Sequence, residues 1–341
     1  MKKSPILLLV LLIFSTVSVV AQADANKLFK DAVADYKAKR YSQAAKKLEQ
    51  VKATNPKSWN VDYYLANSYY ELKRYTEATR VYRDAIRLKP DLFNAYVFLG
   101  NSLDLAGNFK QALATYQEAL KLKPDSAWVY YEIGVANYGR KKYVDAEKAY
   151  SRAVALDSNY QNAWLNLGKS YQRLNRMGDA EAAYKKLITL DPNSARAYKG
   201  LGEVYNGKGL LVKSIESYEK AIRIDPNFAD AFLGLGSVYY NSKEYEKSLP
   251  NYRNAAAKAP RWITAWVYLG DNYIKLKQYT EAVTTYKKAI AINKNQPNAI
   301  YGLGLAYHNL GMAALAREQY DKLVVLKSGL ATRLLNVIDK Q

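Results

Sequence analysis

From Gln161 to Ser194 the apolar positions keep a helical period. Trp164, Leu167, Gly168 and Tyr171 recur at three- and four-residue spacing, which places them on one face of a helix. Ala180, Tyr184 and Leu187 make the matching face of a second helix, and Asp191-Pro192-Asn193 ends it because proline cannot continue a helix. One such hairpin cannot bury its apolar face alone, so the pattern predicts copies of itself on either side.

The copies are present. A period of 34 residues divides the chain into nine units without insertion or deletion, beginning at Ala25, Trp59, Phe93, Ala127, Gln161, Ala195, Ala229, Ile263 and Pro297. Gly100, Gly134, Gly168, Gly202, Gly236, Gly270 and Gly304 recur at that period, with Ala32 and Ala66 in the first two units. A side chain there is expected to hold the two helices of a hairpin apart. Ala44, Ala78, Ala112, Ala146, Ala180, Ser214, Ser248, Ala282 and Ala316 give the same clearance on the second helix. Pro56, Pro90, Pro124, Pro192, Pro226 and Pro260 close units, whereas Ser158, Lys294 and Ser328 depart from that rule.

The pattern Trp164-x2-Leu167-Gly168-x2-Tyr171, Ala180-x3-Tyr184, Pro192 resembles the tetratricopeptide repeat, and the likeness extends over 306 of the 341 residues. The resemblance implies an all-α fold: an α-solenoid superhelix of antiparallel helix pairs, closed by a C-terminal solvating helix. It also implies a non-enzymatic scaffold that takes a partner in a concave groove.

The ends of the chain differ from its middle. Lys2 and Lys3 precede an apolar run from Ile6 to Val20 and then Ala21-Gln22-Ala23, which reads as a secretory signal peptide over residues 1–23, cleaved after Ala23. The alternative is an uncleaved anchor. The run has fifteen residues and contains Ser15, Thr16 and Ser18, against roughly 20 apolar residues for a spanning helix. The expectation is a mature chain without a transmembrane segment, exported to the periplasm or exterior of a bacterium. Nine repeats are expected over 24–330, and a capping helix over 331–341 with Leu330, Leu334 and Ile338 as its apolar stripe and Ser328 as N-cap. The first unit is the most divergent, with Asp31, Asp35 and Leu48 at packing positions.

Composition narrows the function. Of 32 tyrosines, twenty-two fall at four packing positions of the repeat. Nine others lie at unit positions 5, 6 and 12 of first helices: Tyr36, Tyr63, Tyr64, Tyr70, Tyr131, Tyr138, Tyr240, Tyr268 and Tyr301. Positions 2, 5, 9 and 12 form a stripe beside the packing stripe, and the resemblance implies that this stripe lines the groove. Asparagine shares it, as Asn26, Asn60, Asn94, Asn162 and Asn298 at position 2 and as Asn67 and Asn101 at position 9. A carboxamide grips an extended backbone by donating to a carbonyl and accepting from an N–H, although Asn at a helix start also serves as a cap. Tyr63, Asn67, Tyr70, Trp128 and Tyr131 make the best contact cluster, joined by Asn94 and Asn101. The family's carboxylate clamp is not matched, because Tyr63 and Phe98 stand at clamp positions around Asn67.

Charge adds a second element. Residues 24–341 carry +18, the whole chain's +20 less Lys2 and Lys3. Lys169 and Arg173 at positions 9 and 13 of the fifth unit, with Arg196 and Lys199 at positions 2 and 5 of the sixth, are expected to share one basic patch. That patch suits acidic side chains or a C-terminal carboxylate, against the plainer reading that Lys199 pairs with Glu203 on an ordinary helix surface.

Chemistry is sparse. The single histidine, His308, and the lack of cysteine leave no usual zinc constellation. The glycines are single and 34 apart rather than gathered in a phosphate loop, and no carboxylate motif suggests an acid and base pair. No catalytic residue, metal or cofactor is expected, nor a small-molecule substrate or nucleic acid. The partner is another protein or peptide, in envelope assembly or secretion. The alternative is a polyanion binder on envelope glycopolymer, acidic lipid or nucleic acid.

Overall fold

The computed structural model describes residues 24–339, which hold nineteen helices and no strand. The leader expected at 1–23 lies outside the described residues. The chain forms two compact units, one ending at Tyr160 and the other beginning at Gln161.

The first unit contains α1 (24–37), α2 (Tyr41–Thr54), α3 (Trp59–Glu71), α4 (Tyr75–Leu88), α5 (Phe93–Leu105), α6 (Phe109–Leu122), α7 (Ala127–Gly139) and α8 (Tyr143–Leu156). The second contains α9 (Gln161–Arg173), α10 (Met177–Leu190), α11 (Ala195–Gly207), α12 (Leu211–Ile224), α13 (Ala229–Asn241), α14 (Tyr245–Lys258), α15 (Ile263–Lys275), α16 (Tyr279–Ile292), α17 (Pro297–Asn309), α18 (Ala313–Val325) and α19 (Leu330–Ile338). Within each unit every helix packs on the next. First helices of successive repeats also touch: α3 meets α5 and α5 meets α7 in the first unit, and α9 meets α11 in the second. The first helices therefore form a face of their own in each unit.

A left-handed residue turns the chain between the two helices of a repeat. Lys73 has φ 61°, and Arg74 N–H donates to the carbonyl of Tyr69 over 2.8 Å, closing the end of α3. Gly107, Gly209 and Gly311 take the same conformation without the steric cost that a lysine bears there.

The periodic glycines serve a partner more specific than a helix backbone. A Cβ at Gly168 would stand 2.6 Å from the Tyr184 ring, sixteen residues on in the second helix of the same repeat. The next repeat adds another notch, since a Cβ at Gly200 would lie 2.5 Å from the same ring. Gly202 and Gly234 flank Tyr218 in the same way, and Gly270 and Gly302 flank Tyr286. The clearance inferred from sequence is thus a slot for the repeat tyrosine, and the second row of slot glycines was not recognised in the sequence. Ser214 and Ser248, fully buried where other repeats carry alanine, donate to the carbonyls of Gly202 and Gly236 over 2.7 and 2.8 Å. Satisfying the hydroxyl removes the penalty of burying it.

The divergent first repeat keeps its core by pairing. Asp35, 5% exposed, accepts from Arg40 Nη2 over 2.6 Å and from Lys47 over 2.7 Å. At the other end, α19 packs on α17 and α18. Leu334 is fully buried beside Gly304, and Leu330 and Ile338 pack around it. The helix starts one residue later than the cap expected from sequence: Gly329 is the N-cap, while Ser328 Oγ accepts from Leu330 N–H over 3.3 Å.

Candidate functional site

The first-helix face of the first unit gathers the expected aromatic and asparagine residues into hydrogen-bonded sets. Asn67 lies in the middle of α3 and is 6% exposed. Its Oδ1 accepts from the hydroxyl of Tyr82 over 2.6 Å. In the next repeat Tyr116 donates to Asn101 Oδ1 over 2.6 Å, and Asn101 is 8% exposed. Asn67 and Asn101, expected as partner contacts, are thus packing residues as well. Each is the acceptor that lets a core tyrosine keep its hydroxyl in the interior.

What remains accessible lies around them. Tyr63 is half-buried, and burial raises its pKa against hydrogen bonds to Asn67 and to the exposed Asn94. Tyr70 packs edge-on against Phe98 with ring centroids 5.6 Å apart, and Phe98 meets Trp128 at 5.5 Å. Burial first, and then the charge of Glu132, push Tyr70 up to about 12. Tyr131 keeps different company, its ring 5.8 Å from Tyr150 and 5.0 Å from Tyr160. The expected cluster is thus resolved into Tyr63–Asn67–Asn94, Tyr70–Phe98–Asn101–Trp128 and Tyr131–Tyr150–Tyr160.

Glu132 was passed over in the sequence. It occupies unit position 6 of α7, accepts from the Trp128 indole over 2.8 Å and also bonds Asn101. Burial raises its pKa above the usual carboxylate range, opposed by these hydrogen bonds. A carboxylate at a position held by Tyr64 and Phe98 in the two preceding repeats was the available signal.

The second unit carries the basic element. Lys169 on α9 is partly buried, and its pKa is lowered by desolvation and then by the neighbouring cations Lys199 and Arg196 on α11. Arg196 is exposed. Lys199 pairs with Glu203 over 2.5 Å, and Glu203 also accepts from Gln172 over 3.3 Å. Arg173 is exposed on α9. Lys169, Arg196 and Lys199 thus act on one another, with the carboxylate of Glu203 beside them. Desolvated like charges on a surface favour an incoming anion, which relieves their repulsion.

Among the described residues no three His, Cys, Asp or Glu side chains are grouped so as to hold a metal ion, and no helix is long and apolar enough to cross a membrane.

Comparison with known proteins gives a consistent picture of the fold. The family model described as "Cilia and flagella-associated protein 70 C-terminal domain" matches residues 20–227, and the model described as "TPR repeat" matches residues 270–311. No curated protein matches the chain in sequence. Among solved structures, yeast Tom70 is similar over 86% of this chain and 67% of its own, with a TM-score of 0.59 and 17% identity. A chain of the APC/C hetero-tetramer Cut9-Hcn1 is similar over 88% of this chain with a TM-score of 0.56 and 18% identity, and this chain spans 59% of that one. Pseudomonas aeruginosa pilF is similar over 61% of this chain and 94% of its own, with a TM-score of 0.52 and 20% identity. At these identities the likeness is one of fold alone.

Proposed function

The chain belongs to the tetratricopeptide-repeat family, and from that premise we propose that it is a non-enzymatic scaffold holding a peptide segment or partner protein on its first-helix face. The family's fold implies an interaction scaffold, and the finer reading is drawn from the side chains. One observation carries it: Lys169 is partly desolvated and feels the charges of Lys199 and Arg196, with the carboxylate of Glu203 opposing them. A partner group that brings an acidic side chain or a terminal carboxylate restores charge balance there. In the first unit, Tyr63, Asn94, Tyr70 and Trp128 offer rigid amphipathic contact area of the kind enriched at interfaces.

The basic start, apolar run and Ala21-Gln22-Ala23 of residues 1–23, read as a leader, support placing the protein outside the bacterial cytoplasm, and envelope assembly or secretion is the role proposed for it there. N-terminal sequencing of the protein recovered from a cell envelope fraction tests this directly. A mature chain beginning at Asp24 is expected, and retention of residues 1–23 in a cytoplasmic fraction would contradict it.

The binding reading is tested by selecting peptides with free C-termini from a random library. Selected peptides are expected to carry an acidic group, and Lys169→Glu with Arg196→Glu should weaken them by about tenfold or more, each tenfold being 1.4 kcal/mol. Unchanged affinity and unchanged salt dependence in the folded double variant would reject the patch as a contact.

A further inference from the structure

A cavity of about 270 Å³ opens in the second unit, lined by Ser237, Tyr240, Asn241, Tyr252, Tyr268 and Asp271. We propose that this cavity is a subsite for the alkylammonium side chain of a lysine in the bound partner. The inference rests on the reading of the chain as a partner-binding scaffold and gives it a second, oppositely charged contact.

The charge of Asp271 is the starting point. It stands at unit position 9 of α15, where Asn67 and Asn101 stand in the second and third repeats. It does the same packing work, since Tyr286 donates to its Oδ1 over 2.6 Å. A neutral carboxamide suffices for that work elsewhere, and a serine suffices one repeat earlier, where Tyr252 donates to Ser237 Oγ over 3.2 Å. The negative charge is therefore surplus to the fold. It is also costly, because burial raises the Asp271 pKa, and the tyrosine hydrogen bond and the through-space pull of Lys275 only oppose that rise. Among the described residues no cation forms an ion pair with Asp271.

The walls suit a cation with an apolar stem. Tyr252 forms the floor at 3% exposure, with ring centroids 6.2 Å from Tyr240 and 5.7 Å from Tyr268. Tyr268 is 39% exposed and lies on the open side. Tyrosine faces attract a cation through their quadrupole, and methylenes pack on the same faces. The volume falls short of the roughly 300–1,000 Å³ of small-molecule pockets and fits one side chain better. Ammonium is favoured over guanidinium by geometry. A guanidinium fork wants both carboxylate oxygens, and at Oδ1 it would have to share with the Tyr286 hydroxyl. A compact ammonium with three donors needs only Oδ2 and a nearby hydroxyl.

The test is a titration of the full chain with Nα-acetyl-lysine methylamide, followed by NMR of tyrosine ring signals assigned by substitution. Its isosteric control is Nα-acetyl-norleucine methylamide, and the arginine analogue is a further arm, all at matched ionic strength. Saturable shifts of Tyr240 and Tyr268 are expected with lysine and not with norleucine. Asp271→Asn keeps an acceptor for Tyr286, as Asn67 does for Tyr82, and removes a charge that burial disfavours, so the variant should melt no lower than the parent while binding lysine about tenfold more weakly. Tyr268→Ala should weaken lysine as well. Equal responses to lysine and norleucine, stronger binding of the arginine analogue, no response at all, or undiminished binding in folded Asp271→Asn would each overturn the proposal. Because the basic patch is probed separately with acidic peptides, failure here leaves the scaffold reading standing, and failure there leaves this result interpretable.

Discussion

The hydroxyl of Tyr82 donates to Oδ1 of Asn67 across 2.6 Å, and both side chains are buried. The bond ties the second helix of a repeat to the first at a point fifteen residues apart in sequence. Replacing Asn67 by Ala leaves a buried hydroxyl without its acceptor, at an expected cost of about 1–3 kcal/mol. Tyr82→Phe in the same background should recover part of the loss. Urea unfolding of the two single variants and the double variant measures the coupling, and additive losses would deny that the two side chains act as a pair.

Slot glycines and surface glycines should respond oppositely to the same substitution. Gly168→Ala pushes a methyl into the Tyr184 ring at 2.6 Å, an overpacking change expected to cost about 1–3 kcal/mol. Gly178 lies near the start of α10, and a Cβ there meets no other side chain within 4 Å. Gly178→Ala should stabilise by up to about 1 kcal/mol through helix propensity. Thermal unfolding of the two variants reads the difference in sign.

Acid should weaken the second unit through Glu181. Hydrogen bonds first from Lys185 and then from Lys208 hold its carboxyl at about 2, below the usual 4.5, and the Tyr205 hydroxyl also donates to it over 3.1 Å. A depressed folded pKa means that the unfolded chain binds the proton first as pH falls. The contribution is thus fully present above about 4.5 and is lost as pH drops toward about 2. Denaturant midpoints of the parent should fall more steeply in that window than those of Glu181→Gln, and parallel curves would rule out the effect.

Glu132 should show the reverse slope. Its folded pKa is raised by burial, so the unfolded chain loses the proton first as pH rises. Stability associated with the protonated form is present below about 4.5 and is lost as pH climbs through the folded value. Glu132→Gln keeps a hydrogen-bonding group beside Trp128 and should be more stable than the parent at neutral pH, with the advantage shrinking in acid. A constant offset between the two proteins across pH would contradict the assignment.

The sequence alone determined the helix pairs, their 34-residue period, the small-residue positions and the apolar stripe of α19. It could do so because each of those features is a local spacing repeated many times, and repetition makes packing geometry visible as periodicity. Tertiary structure decided the role of single polar residues. Asn67 and Asp271 share a unit position, and both accept a tyrosine hydroxyl. One is absorbed by the core, while the other brings a partly buried charge to the wall of an aromatic cavity. Glu132 looks like an ordinary helix residue until the adjoining first helix brings Asn101 to it, and although spacing pointed to a basic patch at Lys169, the desolvation of that lysine shows only in the packed structure. The charges of Glu132 and Lys169 depend on groups about 30 residues away that meet only when successive repeats stack, and burial there sets the energy of each.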